Sequence, residues 1–463
     1  MVVGNDIRIS NCTAEVEQFF NKLLTFDNPE FERKLRQGRW LGGTPEKLVL
    51  LQRHGDVLVL PFGMLPTVFE HRDWFSSIAS TFDESVRYMR RFLYRSSITP
   101  YEYQEKAIQA ALKARQGIIV APCGSGKTQI GLEISACIGG RTLWITHTHD
   151  LLDQSMKRAK SVFKMSDRDY GTITAGKVDL GNVITFATVQ TMSKIDLRPI
   201  EDYFDVVIVD EAHHAVGTPT KLMMFWKVIS SLKARYKFGL TATPQRSDGL
   251  TPCMFALIGP KVYEISKEDV SETTCPVEVL IRQSPYRPDI DSILMPDGTI
   301  NYPKFITEIT KDADRNRQIV SDVMMVAGTS LVLTDRVEHI DTLVRMIEEA
   351  GKRAVGLSAA FSKRAKAERK GAIEKLTQGD VDVLVATFQL AREGLDIPSL
   401  RNIFFATPQK NDAIVTQAAG RVARKAEGKD CGIVWDYEDD FSILKRWQKK
   451  RISIYKRQGF MLR

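Results

Sequence analysis

Cysteine is scarce in this sequence, with six in 463 residues: Cys12, Cys123, Cys137, Cys253, Cys275 and Cys431. They are scattered and form no CxxC pair, which excludes a disulfide scaffold and offers no zinc-ligand spacing. No stretch comes near the roughly 18 uninterrupted apolar residues of a membrane span. Residues 1–12 have neither a basic start nor an apolar core, so a cytoplasmic location with no membrane partner is expected. Low-complexity tracts and short-period repeats are missing as well. Charge is not scarce: at 26% charged and 43% hydrophobic, the composition excludes wholesale disorder. Lys and Arg total 65 against 57 Asp and Glu, a net +8. Residues 441–463 hold eight basic side chains and no acidic one, so the whole excess can be assigned to the tail.

At about 100–200 residues per domain, a chain of this length makes two to four domains. Residues 1–95 read as a small α+β domain. Helix patterns at 14–24 and 30–37 flank an Asp27-Asn28-Pro29 break, and alternating runs at 48–52 and 57–60 read as strands. Residues 87–95 carry four arginines among aromatics, and Ser96-Ser97-Ile98-Thr99-Pro100 reads as a hinge. Over 96–262, short apolar runs at 117–121, 142–146, 183–187, 206–209 and 238–241 alternate with helix-length segments, the mark of a parallel α/β sheet. Residues 263–313 lose this rhythm and read as a connector or insertion. It restarts over 314–440, with strand-like runs at 331–334, 354–357, 383–386, 403–406 and 432–435. The expected fold is α/β, with two tandem parallel-sheet lobes, a small α+β N-terminal domain and a basic C-terminal helix or tail at 441–463.

The strongest local signal is Ala121-Pro122-Cys123-Gly124-Ser125-Gly126-Lys127-Thr128, between an apolar strand and a helix pattern. A phosphate chain needs backbone N–H groups at close range, and glycines let the loop curl without Cβ clashes. Lys127 supplies positive charge to the β- and γ-phosphates, and the Thr128 hydroxyl suits Mg²⁺. The strict pattern has Gly where this chain has Ala121. A partner carboxylate is expected at the end of another strand, and Val206-Val207-Ile208-Val209-Asp210-Glu211 provides one at the C-terminal edge of the sheet. Asp210 can hold Mg²⁺ and Glu211 can orient or deprotonate an attacking water. An Asp-Glu pair after a strand is by itself a solvated turn; with the phosphate loop upstream it reads as the second half of a nucleotide-hydrolysis site. His147, His149, His213 and His214 fit no zinc spacing and read as polar or structural.

These segments together resemble a superfamily 2 helicase or translocase, because its motifs appear in order across both lobes. Gln104, after Tyr103, resembles the adenine-reading glutamine, with Tyr101 where that motif has Arg. Residues 121–128 resemble motif I, so Pro122, Cys123, Gly124, Ser125, Gly126, Lys127 and Thr128 are expected to bind ATP. Thr146 and His147 resemble motif Ia, and Thr188 and Gln190 resemble a strand-contacting motif of the first lobe. Asp210-Glu211-Ala212-His213 is a DEAH-type motif II and Thr241-Ala242-Thr243 resembles motif III. In the second lobe Thr334 and Asp335 sit where motif IV falls, and Thr387 through Gly394 and Asp396 resembles motif V. Gln417, Arg421 and Arg424 fall in a match to motif VI. The resemblance implies two RecA-like lobes, ATP with Mg²⁺ as cofactors, and nucleic-acid contacts through Thr146, His147, Thr188, Gln190, Arg246, Thr334, Asp335 and Thr387. Spacing of i, i+4 and i+7 predicts that Gln417, Arg421 and Arg424 share one helix face. Arginines supplied there would neutralise a transferring phosphoryl group, an effect of about 10³–10⁵ in rate.

Thr241 through Gly249 is the most discriminating stretch. It resembles the XPB-type and related phage recombination helicases, whose Arg-x-Asp element here reads Arg246-Ser247-Asp248. Arg315-Asn316 also fits that group, and residues 1–95 resemble the duplex-binding domains such motors carry. A packing role for residues 1–95 stays open beside it. So does a solvated helix for residues 441–463, whose basic face would otherwise add sequence-independent affinity for phosphates. The expectation is an ATP-dependent DNA helicase or translocase on duplex, forked or branched DNA, tracking 3′→5′, in the host cytoplasm if phage-encoded. The alternatives are an RNA helicase, or an ATP-gated DNA-binding motor subunit of a restriction or defence complex.

Overall fold

A computed structural model describes residues 1–75, 81–82, 91–92, 94–122, 124–174, 176–214, 219–242, 249–266, 268–270, 274–295, 300–358, 363–392, 397 and 399–463. The chain forms two units, Met1–Ser266 and Lys267–Arg463. Among the described residues, no helix is long and apolar enough to cross a membrane.

The first unit opens with a small antiparallel sheet. Alternation in Asp6–Ser10 and Val57–Pro61 places Ile7 opposite Leu60 and Ile9 opposite Leu58, all buried on one face. Helix Ala14–Leu23, capped by the Thr13 hydroxyl, lays Val16 and Phe20 onto that face at i, i+4 spacing. This module does not close a core of its own. Val3, Ile9, Phe20 and Leu60 belong to one apolar cluster with Ile118, Val120, Phe225 and Leu257 of the α/β lobe. At the junction a Cβ on Gly63 would stand 2.3 Å from the Ala256 carbonyl oxygen, so only glycine permits the approach. Gln116 donates to the Phe62 and Gly63 carbonyls at 3.3 and 3.4 Å. The stretch read as a hinge is tied down too: Ser97 N bonds Val162 O at 3.1 Å, and the Tyr94 hydroxyl meets Ser135 Oγ at 2.6 Å.

The lobe itself is an eight-stranded sheet in the order Lys177–Asp179, Tyr170–Thr174, Ile184–Thr188, Thr142–Thr146, Val206–Val209, Tyr236–Thr241, Gln116–Val120, Lys261–Glu264. All neighbours run parallel except the edge hairpin of the first two. The five apolar runs read from the sequence are five of these strands, because a strand covered on both faces by crossover helices is apolar throughout.

The second unit carries seven parallel strands, ordered Ala354–Leu357, Val383–Thr387, Ser330–Thr334, Asn402–Phe405, Gly432–Glu438, Val277–Gln283, Met461–Leu462. Two sequence expectations change here. Residues 263–313 are not a connector: Val277–Gln283 pairs with Gly432–Glu438 along its whole length, and helix Tyr302–Lys311 buries Phe305, Ile306 and Ile309. Residues 441–463 are not an appended tail either. Helix Ser442–Arg457 buries Leu444, Arg451, Ile454 and Tyr455, and Met461–Leu462 extends the sheet edge.

Lys237 lies in the first unit's seam, 1% exposed, 4.3 Å above the Phe62 ring, donating to the Ile229 and Asn5 carbonyls at 3.2 and 3.4 Å. Burial drives its pKa down to about 7, with Asp6 opposing the shift. An unfolded Lys keeps its proton to about pH 10.4. Between those limits the folded state binds fewer protons, so this group makes the unit more stable as pH rises from about 7 to 10. The slope is at most about 1.4 kcal/mol per pH unit. Urea midpoints at pH 7 and 9.5 are expected to diverge more for wild type than for Lys237→Met. Equal pH dependence of the two proteins would disprove the assignment.

Candidate active site

The phosphate loop follows strand Gln116–Val120 and runs into helix Lys127–Ile138. Gly124 and Gly126 have φ of 88° and 78°, the left-handed region that side chains resist. Ser125 is buried, and its hydroxyl donates to Pro122 O at 2.7 Å, closing the curl. The Ser125 carbonyl accepts from Gln104 Nε2 at 2.8 Å and from the Tyr103 hydroxyl at 3.3 Å. Gln104 Oε1 accepts from Tyr101 N at 3.0 Å. Its amide is thus engaged at both ends as a brace for the loop, while the sequence reading had it contacting adenine. A Cβ on Gly126 would lie 2.5 Å from Gln104 Nε2, so glycine and brace require one another. The first-turn N–H groups of a helix entered this way form an anion site. Cys123 lies outside the described residues.

Strand Val206–Val209 delivers Asp210 and Glu211 to the same sheet edge. Lys127 Nζ stands 3.5 Å from Glu211 Oε1, joining the two motifs that lie 84 positions apart in the sequence. Glu211 has φ of 50°, a strained conformation for a residue with a side chain. His213 Nδ1 lies 3.4 Å from Glu211 Oε2 and 2.9 Å from Thr241 Oγ1, linking motif II to the strand that ends in motif III. Burial, and then the neighbouring Glu211, push the Asp210 pKa up to about 7. Burial acts upward on Glu211 as well, but Lys127, His213 and His147 outweigh it and hold this carboxyl below its ordinary range. Ser155, which no sequence signal marked, stands 3.5 Å from Asp210 Oδ2.

The residues expected to touch nucleic acid divide. Thr146 and Thr188 end neighbouring strands but are buried, their hydroxyls engaged with Thr148 O and Thr191 Oγ1 at 2.9 Å each. Gln190 is half-buried and donates to His147 O at 2.9 Å; its own Oε1 has no hydrogen-bond partner among the described residues. In the second unit Thr334, Asp335, Val337, Ser358, Thr387, Phe388 and Gln389 line one cleft of about 450 Å³ at the C-terminal strand edge. Thr334 Oγ1 meets His339 Nδ1 at 2.8 Å, and His339 Nε2 meets Asn316 Oδ1 at 2.9 Å. The neighbouring Arg315 is fully buried and paired with Asp439 at 2.8 Å. Arg315-Asn316 therefore acts at the same C-terminal strand edge, Arg315 through Ala406 O and Asp439 and Asn316 through His339 to Thr334.

Gln417, Arg421 and Arg424 do not share a helix face. The α-helix Asp412–Ala419 stops at Gly420, a 3-10 turn covers Gly420–Ala423, and Arg424 is extended. Gln417 stands on the helix with its Oε1 unbonded among the described residues, Arg421 on the turn and Arg424 beyond it. The sequence reading also missed what fixes this helix. Gln409 Oε1 accepts from Lys410 N and Asn411 N at 2.9 and 3.0 Å, and its carbonyl accepts from Arg451 Nη1 at 3.1 Å. Arg451 is paired with Asp436 at 2.7 and 2.8 Å, and Lys450 and Arg457 reach Asp412 at 2.9 and 3.6 Å. Arg246, Gly394 and Asp396 lie outside the described residues.

Residues 97–246 match the family described as "Type III restriction enzyme, res subunit", and residues 316–426 match "Helicase conserved C-terminal domain". A putative ATP-dependent RNA helicase of Acanthamoeba polyphaga mimivirus is 26% identical over 79% of this chain and 69% of its own length. The DNA 3'-5' translocase XPB2 of Sulfurisphaera tokodaii is 34% identical over 39% of this chain and 38% of its own length. The structure of S. cerevisiae Dbp5 bound to RNA and ADP BeF3 covers 79% of this chain with a TM-score of 0.55 at 15% identity, a likeness of fold.

Proposed function

The chain belongs to the superfamily 2 helicases and translocases, an ATP-hydrolysing family, and from this premise we propose that it is a DNA motor working on duplex, forked or branched DNA and moving 3′→5′. The observation that carries the motor reading is the contact between Lys127 of the phosphate loop and Glu211 of motif II, 3.5 Å apart at one sheet edge. The 34% identity to a DNA translocase favours DNA.

In this reading the helix N-terminus at Lys127 binds the phosphate chain and Lys127 supplies its charge. The residues fit Mg²⁺: two adjacent carboxylates face a single lysine, and Asp210 and Thr128 offer the hard oxygen donors that ion takes. When bound, the ion neutralises charge on the β- and γ-phosphates. Glu211, kept ionised by Lys127 and His213, orients and deprotonates the attacking water. His213 and Thr241 couple the carboxylate to motif III. Arg421 and Arg424 supply further positive charge for the transferring group. The cleft at Thr334, Asp335 and Thr387 takes the phosphate backbone, which implies little sequence preference.

RNA is a second reading, favoured by the mimivirus relative, which matches four-fifths of the chain. Steady-state ATP turnover with no polymer, duplex DNA, single-stranded DNA, forked DNA and RNA separates the two. Stimulation by duplex or forked DNA is the expected result. Stimulation by RNA alone would transfer the protein to the second reading, and no stimulation by any polymer would end both.

A further inference from the structure

Trp40 is the most exposed large apolar side chain among the described residues, at 88%, and it sits on a built loop. Helix Pro29–Arg36 is capped at its start by Asn28, whose side chain also donates to Pro45 O at 2.6 Å, so the start of the helix and the far end of the 37–45 loop are tied at one residue. Gly38, at φ of 59°, turns the chain off the helix, and Arg39 N bonds back to Lys34 O at 2.9 Å. Lys34 Nζ holds Thr44 Oγ1 at 2.6 Å, and Thr44 N meets Leu41 O at 3.1 Å. A Cβ on Gly42 would lie 2.9 Å from the Trp40 ring, so a glycine floors the indole. The loop is ordered, yet it aims its largest ring at solvent.

The charges of this helix and loop are unequally matched. Lys34 and Arg36 answer Glu30 and Glu32 at 3.6 and 3.1 Å, whereas the exposed Arg33 and Arg39 have no acidic partner among the described residues. A bare indole on a helix–loop unit that also carries two exposed guanidiniums, Arg39 next to it in sequence and Arg33 on the helix before it, suits a ring to stack on a base and cations for the adjoining phosphates. We propose that this tip binds nucleic acid by stacking Trp40 on an unpaired or terminal base, with Arg33 and Arg39 on the backbone. This rests on the motor reading above and gives the N-terminal module a contact of its own.

The test uses the full-length protein and fluorescence anisotropy with forked, gapped and covalently closed duplex DNA. Trp40→Ala is expected to weaken binding to forked and gapped DNA about 5- to 100-fold, with Trp40→Phe restoring most of it. Arg33→Gln and Arg39→Gln should each reduce the slope of log K against log salt by about 0.7–0.9. Polymer-free ATP turnover and thermal stability should stay at wild-type values, since Trp40 touches neither core nor phosphate loop. Equal weakening on the closed duplex would overturn the stacking assignment. Affinity of Trp40→Ala indistinguishable from wild type on every polymer would overturn the proposal and leave the tip to a protein partner. If wild type is stimulated by DNA and Trp40→Ala behaves identically, this inference alone fails; if wild type responds to no polymer, the motor reading fails with it.

Discussion

Glu211→Gln lowers polymer-stimulated ATP turnover by about 10²–10⁴-fold while leaving nucleotide binding in place. The amide keeps the side chain's size and its approach to Lys127 but cannot take a proton from water. Lys127→Ala differs in kind. It removes the charge that faces the phosphates and leaves Glu211 buried beside Asp210 without the lysine that does most to hold it ionised. Turnover should fall by at least about 10²–10³-fold, with nucleotide affinity falling too. Titration with a fluorescent ATP analogue beside steady-state turnover separates the two variants. Turnover within tenfold of wild type in Glu211→Gln would remove that residue from the proton-transfer role.

Arg451→Met should cost the second unit about 3–5 kcal/mol, because it strands Asp436 in the core with only the Tyr455 hydroxyl, 3.0 Å away. For a unit of this size that lowers its calorimetric transition by about 6–20 °C, while the first unit's transition holds. Replacing both partners, as Arg451→Met with Asp436→Leu, should recover most of the loss, since a buried pair exchanged for apolar groups is close to neutral. The single variant also deprives Gln409 O of its donor, just ahead of the helix that carries Gln417. Calorimetry showing an unchanged second-unit transition in Arg451→Met would refute this account.

Where the sequence and the structure agree, the agreement has a physical cause. Val206–Val209 and Val383–Thr387 are buried on both faces, so they read as unbroken apolar runs. The phosphate loop was legible because only glycine accepts the backbone angles at 124 and 126. Val277–Gln283 was not, because its second half is partly solvated, Glu278 and Arg282 interrupt it, and prolines flank it. Met461–Leu462 is too short to show any period. The charge run ending the chain concealed Arg451, whose burial depends on an aspartate 15 residues upstream in a strand. Thr146, Thr188 and Thr334 stand at the strand ends where motif positions placed them, but side-chain direction there is decided by local hydrogen bonds. The row of Gln417, Arg421 and Arg424 assumed a helix running through Gly420, where it stops.

The glycine seam of the first unit also bears on how the chain is made. Gly63 seats against the carbonyl of Ala256, roughly 190 residues later in the sequence. At about 5–20 residues per second, the ribosome needs on the order of 10–40 s to supply that seat after the N-terminal strands have emerged. Throughout that interval Ile9, Phe20 and Leu60 wait without the lobe residues that complete their cluster. These side chains stay incompletely covered during that interval, so slower translation of residues 64–256 should raise the fraction lost to aggregation.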